Sequence, residues 1–365
     1  MLKTPAPVDL RQAYIDARAG GAVQPDEIAA ALGVSEGALL DAHVGAPAGA
    51  LQAQRLRPDF GRLLSELSRA GELLAQTGHA HSVQECVGVY ERLGDAMPPS
   101  HEFSPARGDE IDLRPRLACW AQGYAVREAG PRGEVQSLQF FDAAGRAVHK
   151  VFAQPATQQA CWQALRVRWI DALVPAPCWQ PHAPAEVPAP AIDAAAWRAA
   201  WAGLRDAQQL DTLLLRHGLR RLDALRLAAP QFAQRVDDDA ARMLLSAAAA
   251  SGTPLLALVS SAGGVQARSG CVASVGVERG WLQVMAPRFR LALREAAIAE
   301  AWAVRRPGAD GVVSSLELYA ADGEPILRLL GQRKPGEPER WAWRDLIDAQ
   351  VDDPIWREEA TSCAA

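Results

Sequence analysis

One segment of this chain occurs twice, and the repeat constrains the fold more than any other feature of the sequence. Residues 124–145 and 302–323 align without a gap at a constant offset of 178 residues. Each copy has two runs of alternating β-type residues around a glycine loop, and a turn ending in Gly145 or Gly323 follows. Glycine suits the left-handed position of a short hairpin loop, so each copy predicts a three-strand meander.

Shorter matches extend the repeat toward the start of each copy. Val83-Gln84 corresponds to Val265-Gln266, and Leu64-Ser65 corresponds to Leu245-Ser246. The order helix, strand, strand and meander therefore occurs twice. Two copies indicate a pair of homologous half-domains, because a solenoid needs at least three short repeats. A ligand site shared by two such halves often lies between them.

A proline-rich stretch separates the two halves. We predict an N-terminal half over 1–174, an extended linker over 175–193, a C-terminal half over 194–351 and a tail over 352–365. In the first half we expect a helical segment over 8–75, with an amphipathic helix over 56–75, before the sheet begins. The apolar content of 49 % is sufficient for two hydrophobic cores.

Charge and hydropathy argue against several classes of protein. The formal net charge of −5 gives no general reason to bind nucleic acid or anionic lipid. No apolar run reaches the length of a membrane span, about 18 residues or more, so no membrane insertion is expected. The first residues lack the apolar region of a signal peptide, which predicts a cytoplasmic location.

Residues 24–41 have the outline of a helix-turn-helix. Pro25 lies near the expected start of the first helix, and Ser35 is a good N-cap for the second. The functional interpretation of this motif would be DNA binding. However, residues 26–41 contain four acidic side chains and no Lys or Arg, and a helix without a cation is a poor partner for phosphate. Packing against the rest of the protein is therefore the preferred interpretation.

A series of short motifs is similar, in order, to one known family. The motifs are Val87-Gly-Val-Tyr-Glu91, Ile111-Asp-Leu-Arg114, Ser137-Leu-Gln-Phe-Phe-Asp142 and Val148-His-Lys-Val151 in the first half, and Trp302-Ala-Val-Arg-Arg-Pro307, Asp310-Gly-Val-Val-Ser-Ser-Leu-Glu-Leu318 and Gly331-Gln-Arg-Lys-Pro-Gly-Glu-Pro338 in the second. The segment Ile28-Ala-Ala-Ala-Leu-Gly-Val-Ser-Glu36 is also similar. Together they resemble the haemin-degrading-factor family, which comprises cytoplasmic haem-trafficking proteins of bacterial haem uptake.

The resemblance implies an α+β fold of two pseudo-symmetric halves, each a large antiparallel β-sheet with packed helices. It also implies haem as the ligand, in a cleft between a helix of the second half and the sheet of the first. In that family a histidine on the helix that opens the second half ligates the iron. The family's Asp-Val-His motif aligns with Asp206-Ala207-Gln208, so Gln208 occupies the position of the metal ligand. Glutamine is a weak iron ligand, whereas imidazole is a strong one.

Four further residues are candidates for the haem site. By resemblance, Arg114 lies over the distal face of the iron, and Arg221 and Arg306 are partners for the propionates, since a guanidinium can bind a carboxylate with two hydrogen bonds. His217 is a possible substitute ligand, although its position nine residues after Gln208 puts it roughly on the opposite helix face. Without the resemblance, Arg114 and Arg221 have an ordinary alternative as surface or helix-cap cations.

Some polar positions of the family's pocket differ in this chain. Arg328 and Leu330 replace a polar residue and a tyrosine, and Gln84 replaces a histidine. The first functional hypothesis is a haem-binding or haem-trafficking protein, with a haem ABC transporter and a haem oxygenase as further partners. The second is an enzyme that opens the porphyrin oxidatively and releases iron. The third is a diverged relative that binds another tetrapyrrole or only a protein partner.

Overall fold

The computed structural model describes residues 7–20, 25–46, 49–90, 110–130, 133–180, 192–334, 336–352 and 356. The helices are α1 (Pro7–Ala19), α2 (Pro25–Ala31), α3 (Glu36–Ala42), α4 (Phe60–Glu66), α5 (Gln159–Trp169), α6 (Ala194–Ala202), α7 (Ala207–His217), α8 (Arg221–Ala228), α9 (Ala240–Ser251) and α10 (Trp341–Asp348). Short 3-10 helices cover Leu67–Ala70, Leu117–Cys119 and Glu295–Ala297.

The strands of the first half are β1 (Leu51–Arg55), β2 (Gly71–His79), β3 (Ser82–Gly88), β4 (Asp112–Pro115), β5 (Gln122–Gly130), β6 (Gly133–Phe141) and β7 (Ala147–Thr157). Those of the second half are β8 (Ala233–Val236), β9 (Leu255–Ser261), β10 (Gly264–Gly270), β11 (Ser274–Glu278), β12 (Trp281–Ala286), β13 (Phe289–Leu293), β14 (Glu300–Arg306), β15 (Val313–Tyr319) and β16 (Pro325–Gly331).

These strands form two antiparallel sheets. The nine-stranded sheet has the order β1-β5-β6-β7-β2-β3-β13-β12-β11, and the seven-stranded sheet has the order β4-β10-β9-β16-β15-β14-β8. The two meanders have the same register, since Val126 lies opposite Ser137 in one and Val304 lies opposite Ser315 in the other. The offset between these pairs is that of the sequence repeat, so the predicted α+β fold with two related antiparallel sheets is confirmed.

The two sheets exchange strands, which the sequence did not predict. Strand β4 of the first half pairs with β10, where Leu113 lies opposite Gln266. Strand β13 of the second half pairs with β3, where Leu291 lies opposite Gln84. At the centre, the Gln84 amide donates to the Gln266 carbonyl oxygen at 3.2 Å, and both side chains are fully buried. The nine-stranded sheet therefore contains three strands of the second half, β11–β13, and the seven-stranded sheet contains one strand of the first half, β4.

Three helices cover one end of each sheet at equivalent places. Helices α1–α3 pack against Tyr124 and Phe141 of the nine-stranded sheet, and α6–α8 pack against Trp302 and Tyr319 of the seven-stranded sheet. The last helix of each set follows a glycine with positive φ, Gly33 (68°) or Gly218 (62°). The helix-turn-helix outline is confirmed: α2 and α3 form, and the Ser35 hydroxyl accepts from the Ala38 amide.

The predicted helical segment over 8–75 is wrong in its second part. Strand β1 interrupts it, and the helix expected over 56–75 contains only α4 and the 3-10 turn Leu67–Ala70 before β2 begins at Gly71. The Asp59 carboxylate caps α4, and Gly71 ends the helical region with a φ of 70°. Beyond Gly71 the burial alternates with the period of a strand.

The predicted tail begins after helix α10, which ends at Asp348, and the side chain of Trp356 within the tail is buried. The Trp356 indole donates to Asp348 at 2.9 Å, and the Arg305 guanidinium lies 4.0 Å from its ring centre. Most of the predicted linker, 181–191, lies outside the described residues. Among the helices of the described part, none is long and apolar enough to cross a membrane.

Candidate functional site

The candidate site lies on the face of the seven-stranded sheet that α6–α8 partly cover. Residues opposite each other on neighbouring strands point to the same face. The registers therefore put on this face Val304 and Arg306 of β14, Ser315 and Glu317 of β15, Arg328 and Leu330 of β16, Leu256 and Leu258 of β9, Val265 and Ala267 of β10, and Asp112 and Arg114 of β4. The three helices pack at the β14–β15 end, next to Trp302 and Tyr319.

The middle of this face is apolar. Leu256, Leu258 and Ala267 form a separate small cluster, against which Val265 and Leu330 pack. We call these five residues the apolar floor. It is flanked by charged groups, with β4 at one side and the β15–β16 pair at the other. Strands β4 and β16 are three strand spacings apart, about 14 Å. The centre of this face is therefore apolar and buried, and it lies between two groups of charged side chains.

Beside the floor, a buried ion pair joins α8 to β15. The Arg221 guanidinium donates two hydrogen bonds to the Glu317 carboxylate, each at 2.7 Å. The Ser315 and Tyr319 hydroxyls donate to the same carboxylate at 3.0 and 2.7 Å. Burial alone would raise the pKa of Glu317, but Arg221 and its hydrogen bonds lower it to about 2. The side chain of Glu317 is only 2 % exposed, so this carboxylate is a fixed charge.

Arg328 and Asp211 extend this group of charges. Arg328 lies directly opposite Glu317 across the β15–β16 ladder. Burial lowers the pKa of Arg328, and the neighbouring Arg221 lowers it further. Burial raises the pKa of Asp211, whereas the nearby Arg221, Arg328 and Arg306 lower it. We call Asp211, Arg221, Arg306, Glu317 and Arg328 the charged cluster; it carries three cations and two carboxyl groups.

Arg114 stands on the opposite side of the floor, and strand exchange is what brings it there. It lies opposite Val265, so this residue of the first half is part of the sheet of the second half. Its Nε is 3.4 Å from Asp112. Burial raises the pKa of Asp112, and the Arg114 charge counteracts that rise. The cleft expected between a helix of the second half and the sheet of the first stays a prediction; the first half reaches this face through strand β4.

Gln208 is held at the start of α7. The Asp206 carboxylate caps this helix by accepting from the Gln209 amide at 2.8 Å. Residues three apart share one side of a helix, and Asp211 is near the arginines, so Gln208 is on the side of α7 that faces the charged cluster. Its side chain is half-buried, and none of the described residues is hydrogen-bonded to it. The sequence candidate is therefore placed beside the cluster with its amide available to a ligand.

His217 is not brought to the same place. It is the last residue of α7, about 14 Å along the axis from Gln208. Its ring is exposed and meets the edge of Trp197, with ring centres 5.8 Å apart. The left-handed Gly218 then turns the chain into α8. A role of His217 as a substitute ligand is not supported by this geometry.

The equivalent face of the first half has a different character. The four charged-cluster positions on α8 and the meander have counterparts at the start of α3 and in the first meander. The pairs are Arg221 and Glu36, Arg306 and Glu128, Glu317 and Gln139, and Arg328 and Lys150. At the counterparts of Leu258 and Ala267, the registers place Gln76 and Glu85, which are hydrogen-bonded to each other at 2.9 Å. This face therefore lacks both the excess of cations and the apolar floor.

Lys150 is also neutralised within the first half. Its ammonium group lies 2.6 Å from Glu36, whose side chain is 7 % exposed. In the second half the helix carries the cation and the strand carries the carboxylate; in the first half the signs are reversed. Among the described residues, an anionic, apolar ligand thus has one suitable face in the molecule.

Sequence reasoning did not identify Glu317 or Asp211 as part of this site. Glu317 is a single carboxylate in a strand whose residues are all buried, and that pattern was a usable signal. Arg328 was noticed only as a departure from the family. Its relation to Glu317 depends on the register of β15 and β16, which the sequence leaves open.

Fold and site together define a class of protein: two-repeat α+β proteins in which an apolar sheet face is flanked by cations and includes a strand of the other repeat. The sequence model of the family described as "Haemin-degrading HemS.ChuX domain" matches residues 33–169 and 218–350, one region for each repeat. The chain belongs to this family, which confirms the resemblance inferred from its motifs.

Relatives of known name cover nearly the whole chain. The hemin transport protein HmuS of Yersinia pestis is 34 % identical over 95 % of this chain and 98 % of its own length. The hemin transport protein HemS of Yersinia enterocolitica is 35 % identical over 88 % of this chain and 91 % of its own. Holo-PhuS, a heme-binding protein from Pseudomonas aeruginosa, superposes with a TM-score of 0.85 at 38 % identity, over 95 % of this chain and 99 % of its own. ChuS, a heme degrading enzyme from Escherichia coli O157:H7, has a TM-score of 0.82 at 31 % identity, over 94 % and 99 % of the two chains.

Proposed function

We propose that this protein binds haem and carries it in the cytoplasm of a bacterium, as part of haem uptake and iron acquisition. The observation that carries the proposal is the apolar floor between Arg114 and the charged cluster. A porphyrin is a flat apolar ring with two carboxylates at one edge. The floor suits the ring, and the excess of cations at one side suits the carboxylates. The names of HmuS, HemS and PhuS support the same ligand.

Gln208 sets the expected strength of iron binding. The neutral amide oxygen is a weaker donor to iron than an imidazole nitrogen. Burial of the ring and contacts of the carboxylates then supply most of the affinity, and the iron contributes little. We expect Arg114, at the other side of the floor, to contact the edge of the ring away from the charged cluster. A transporter and a haem oxygenase are the partners proposed for delivery and removal of the haem.

The test is a titration of the purified protein with haemin, followed by the absorption band of the iron porphyrin. We expect wild type to bind weakly and Gln208→His to give a sharp, tight complex. Gln209→His is the matched control, because Gln209 is the exposed neighbour on the same helix and should leave binding as in wild type. If neither wild type nor Gln208→His binds haemin, the proposed function is wrong.

Oxidative opening of the porphyrin is the second candidate, and the similarity to ChuS favours it. The weak donor at Gln208 argues against it, since this chemistry depends on the ligand that tunes the iron. Incubation of the haemin complex with ascorbate in air separates the two. A stable absorption band supports binding and transfer, whereas decay of the band with release of iron supports the enzyme.

A further inference from the structure

Arg221 and Arg328 stand side by side at the floor, but their surroundings differ. The Glu317 carboxylate accepts four hydrogen bonds, two from Arg221 and one each from Ser315 and Tyr319. A carboxylate has about four acceptor sites. Glu317 is therefore saturated, and Arg221 is bound to it in a bidentate pair that a ligand would have to break.

Arg328 has no such partner. It faces Glu317 across the ladder, yet no hydrogen bond or ion pair joins its guanidinium to any of the described residues. Its side chain is half-buried, and its nitrogens are not among the enclosed, unsatisfied polar atoms, so solvent still reaches them. A guanidinium presents five N–H donors that fit a carboxylate bidentately. Arg328 thus offers an uncommitted fork at the edge of the apolar floor.

Neighbouring charges make this position favourable for an anion. The charges of Arg221 and Glu317 cancel each other, so Arg328 keeps a positive charge at the edge of the floor, with Asp211 as the nearby carboxyl group. Leu258 lies beside Arg328 on the next strand, so a ligand ring on the floor would bring its edge to the guanidinium. Burial and the neighbouring Arg221 both disfavour the charge of Arg328, and a ligand carboxylate beside its guanidinium would offset that cost.

We propose that Arg328, rather than Arg221, recognises a carboxylate of the ligand in this cleft, while Arg221 fixes Glu317 and the helix layer. This inference rests on the proposed function, because it assigns the specificity of the same site. The proposal predicts that the site binds the free acid of a porphyrin more tightly than its ester. This preference should not depend on which metal, if any, the ring holds. The equivalent residue of the first half, Lys150, forms an ion pair with Glu36. Its charge is therefore already neutralised, and we expect no recognition of a ligand carboxylate at that position.

The experiment compares two ligands, haemin and haemin dimethyl ester, with wild type and Arg328→Gln. A charge-assisted hydrogen bond adds roughly ten- to a hundredfold in affinity. We expect wild type to bind haemin that much more tightly than the ester. Arg328→Gln should lose this difference and bind haemin as weakly as the ester, with no change for the ester itself.

Two further variants exclude a general structural effect. Arg328→Lys keeps the charge without the fork and should recover part of the preference for the free acid. Arg242→Gln removes a surface arginine of α9, outside the cleft, and should behave as wild type. The proposal is overturned if Arg328→Gln weakens both ligands equally or neither. Failure of wild type to bind either ligand would overturn the proposed function and this assignment with it, whereas an unchanged variant beside a haemin-binding wild type overturns only the assignment.

Discussion

At the scale of single residues, two buried polar side chains show how specific partners fix a charge state. Glu317 is the example at the site, and His149 is the example in the first-half core. The His149 ring accepts or donates through both nitrogens, at 2.7 Å from the Thr77 hydroxyl and 2.7 Å from the Tyr90 hydroxyl. Both interactions suit a neutral imidazole, and burial lowers the pKa of His149 to about 3. Among the described residues no carboxylate acts on His149, so protonation would leave a buried charge without a counter-charge.

His149 therefore predicts a pH dependence of stability. The unfolded state takes up the proton near the ordinary histidine pKa of about 6.5, and the folded state resists it down to about 3. The free energy of unfolding that depends on a neutral His149 is fully present above pH 6.5. It is lost as the pH falls, by about 1.4 kcal/mol per pH unit. Denaturant unfolding of wild type and His149→Gln between pH 7.5 and 5 measures this loss of stability. The difference in free energy between them should shrink on acidification; a constant difference would show that His149 titrates normally.

At the scale of elements, strand exchange is the feature on which the site depends. Strand β4 is short and reaches the seven-stranded sheet only through β10. The first residue of β10, Gly264, has a φ of 149°, and a Cβ there would lie 2.4 Å from the Arg114 carbonyl oxygen. Glycine is thus required by the close approach of the two backbones. This close approach lies directly beside Arg114 in the β4–β10 ladder, so it contributes to the position of Arg114.

Gly264→Ala should weaken both stability and ligand binding. The strained backbone and the close contact together cost on the order of 1–3 kcal/mol. Because β4 must move to relieve the contact, Arg114 should shift and haemin affinity should fall. Gly276→Ala is the matched control, since a Cβ at this glycine of β11 would meet nothing within 4 Å. Equal stability and equal affinity of the two variants would contradict the role of Gly264.

At the scale of the whole molecule, an ancestral symmetry is kept in the backbone and broken in the side chains. The registers and helix layers of the two halves correspond, yet the signs of the buried ion pair are reversed. The first-half face is polar: the Glu85 carboxylate accepts a hydrogen bond from the Gln76 amide and pairs with Arg290. Duplication thus supplied two similar sheets, and only one kept a surface for an apolar anion.

The molecule should therefore bind one haem per chain. Titration with haemin, read as equivalents per chain at saturation, should end at one. Glu85→Gln alters the first-half face and should leave both the end point and the affinity unchanged. A second equivalent that disappears in this variant would place a ligand on the first-half face and contradict the asymmetry argued here.

The sequence by itself determined the features that depend on neighbours along the chain. Its repeat predicted two meanders of equal register, and glycine and capping residues located the turn before α3. The predicted helix over 56–75 was wrong because leucine spacing continued into β2, where Leu73 and Ala75 alternate as a strand. Only the tertiary structure decided the rest: the pairing of β4 with β10, the saturation of Glu317 by Arg221, the free fork of Arg328 and the distance of His217. These depend on contacts between residues far apart in sequence, which local periodicity does not encode.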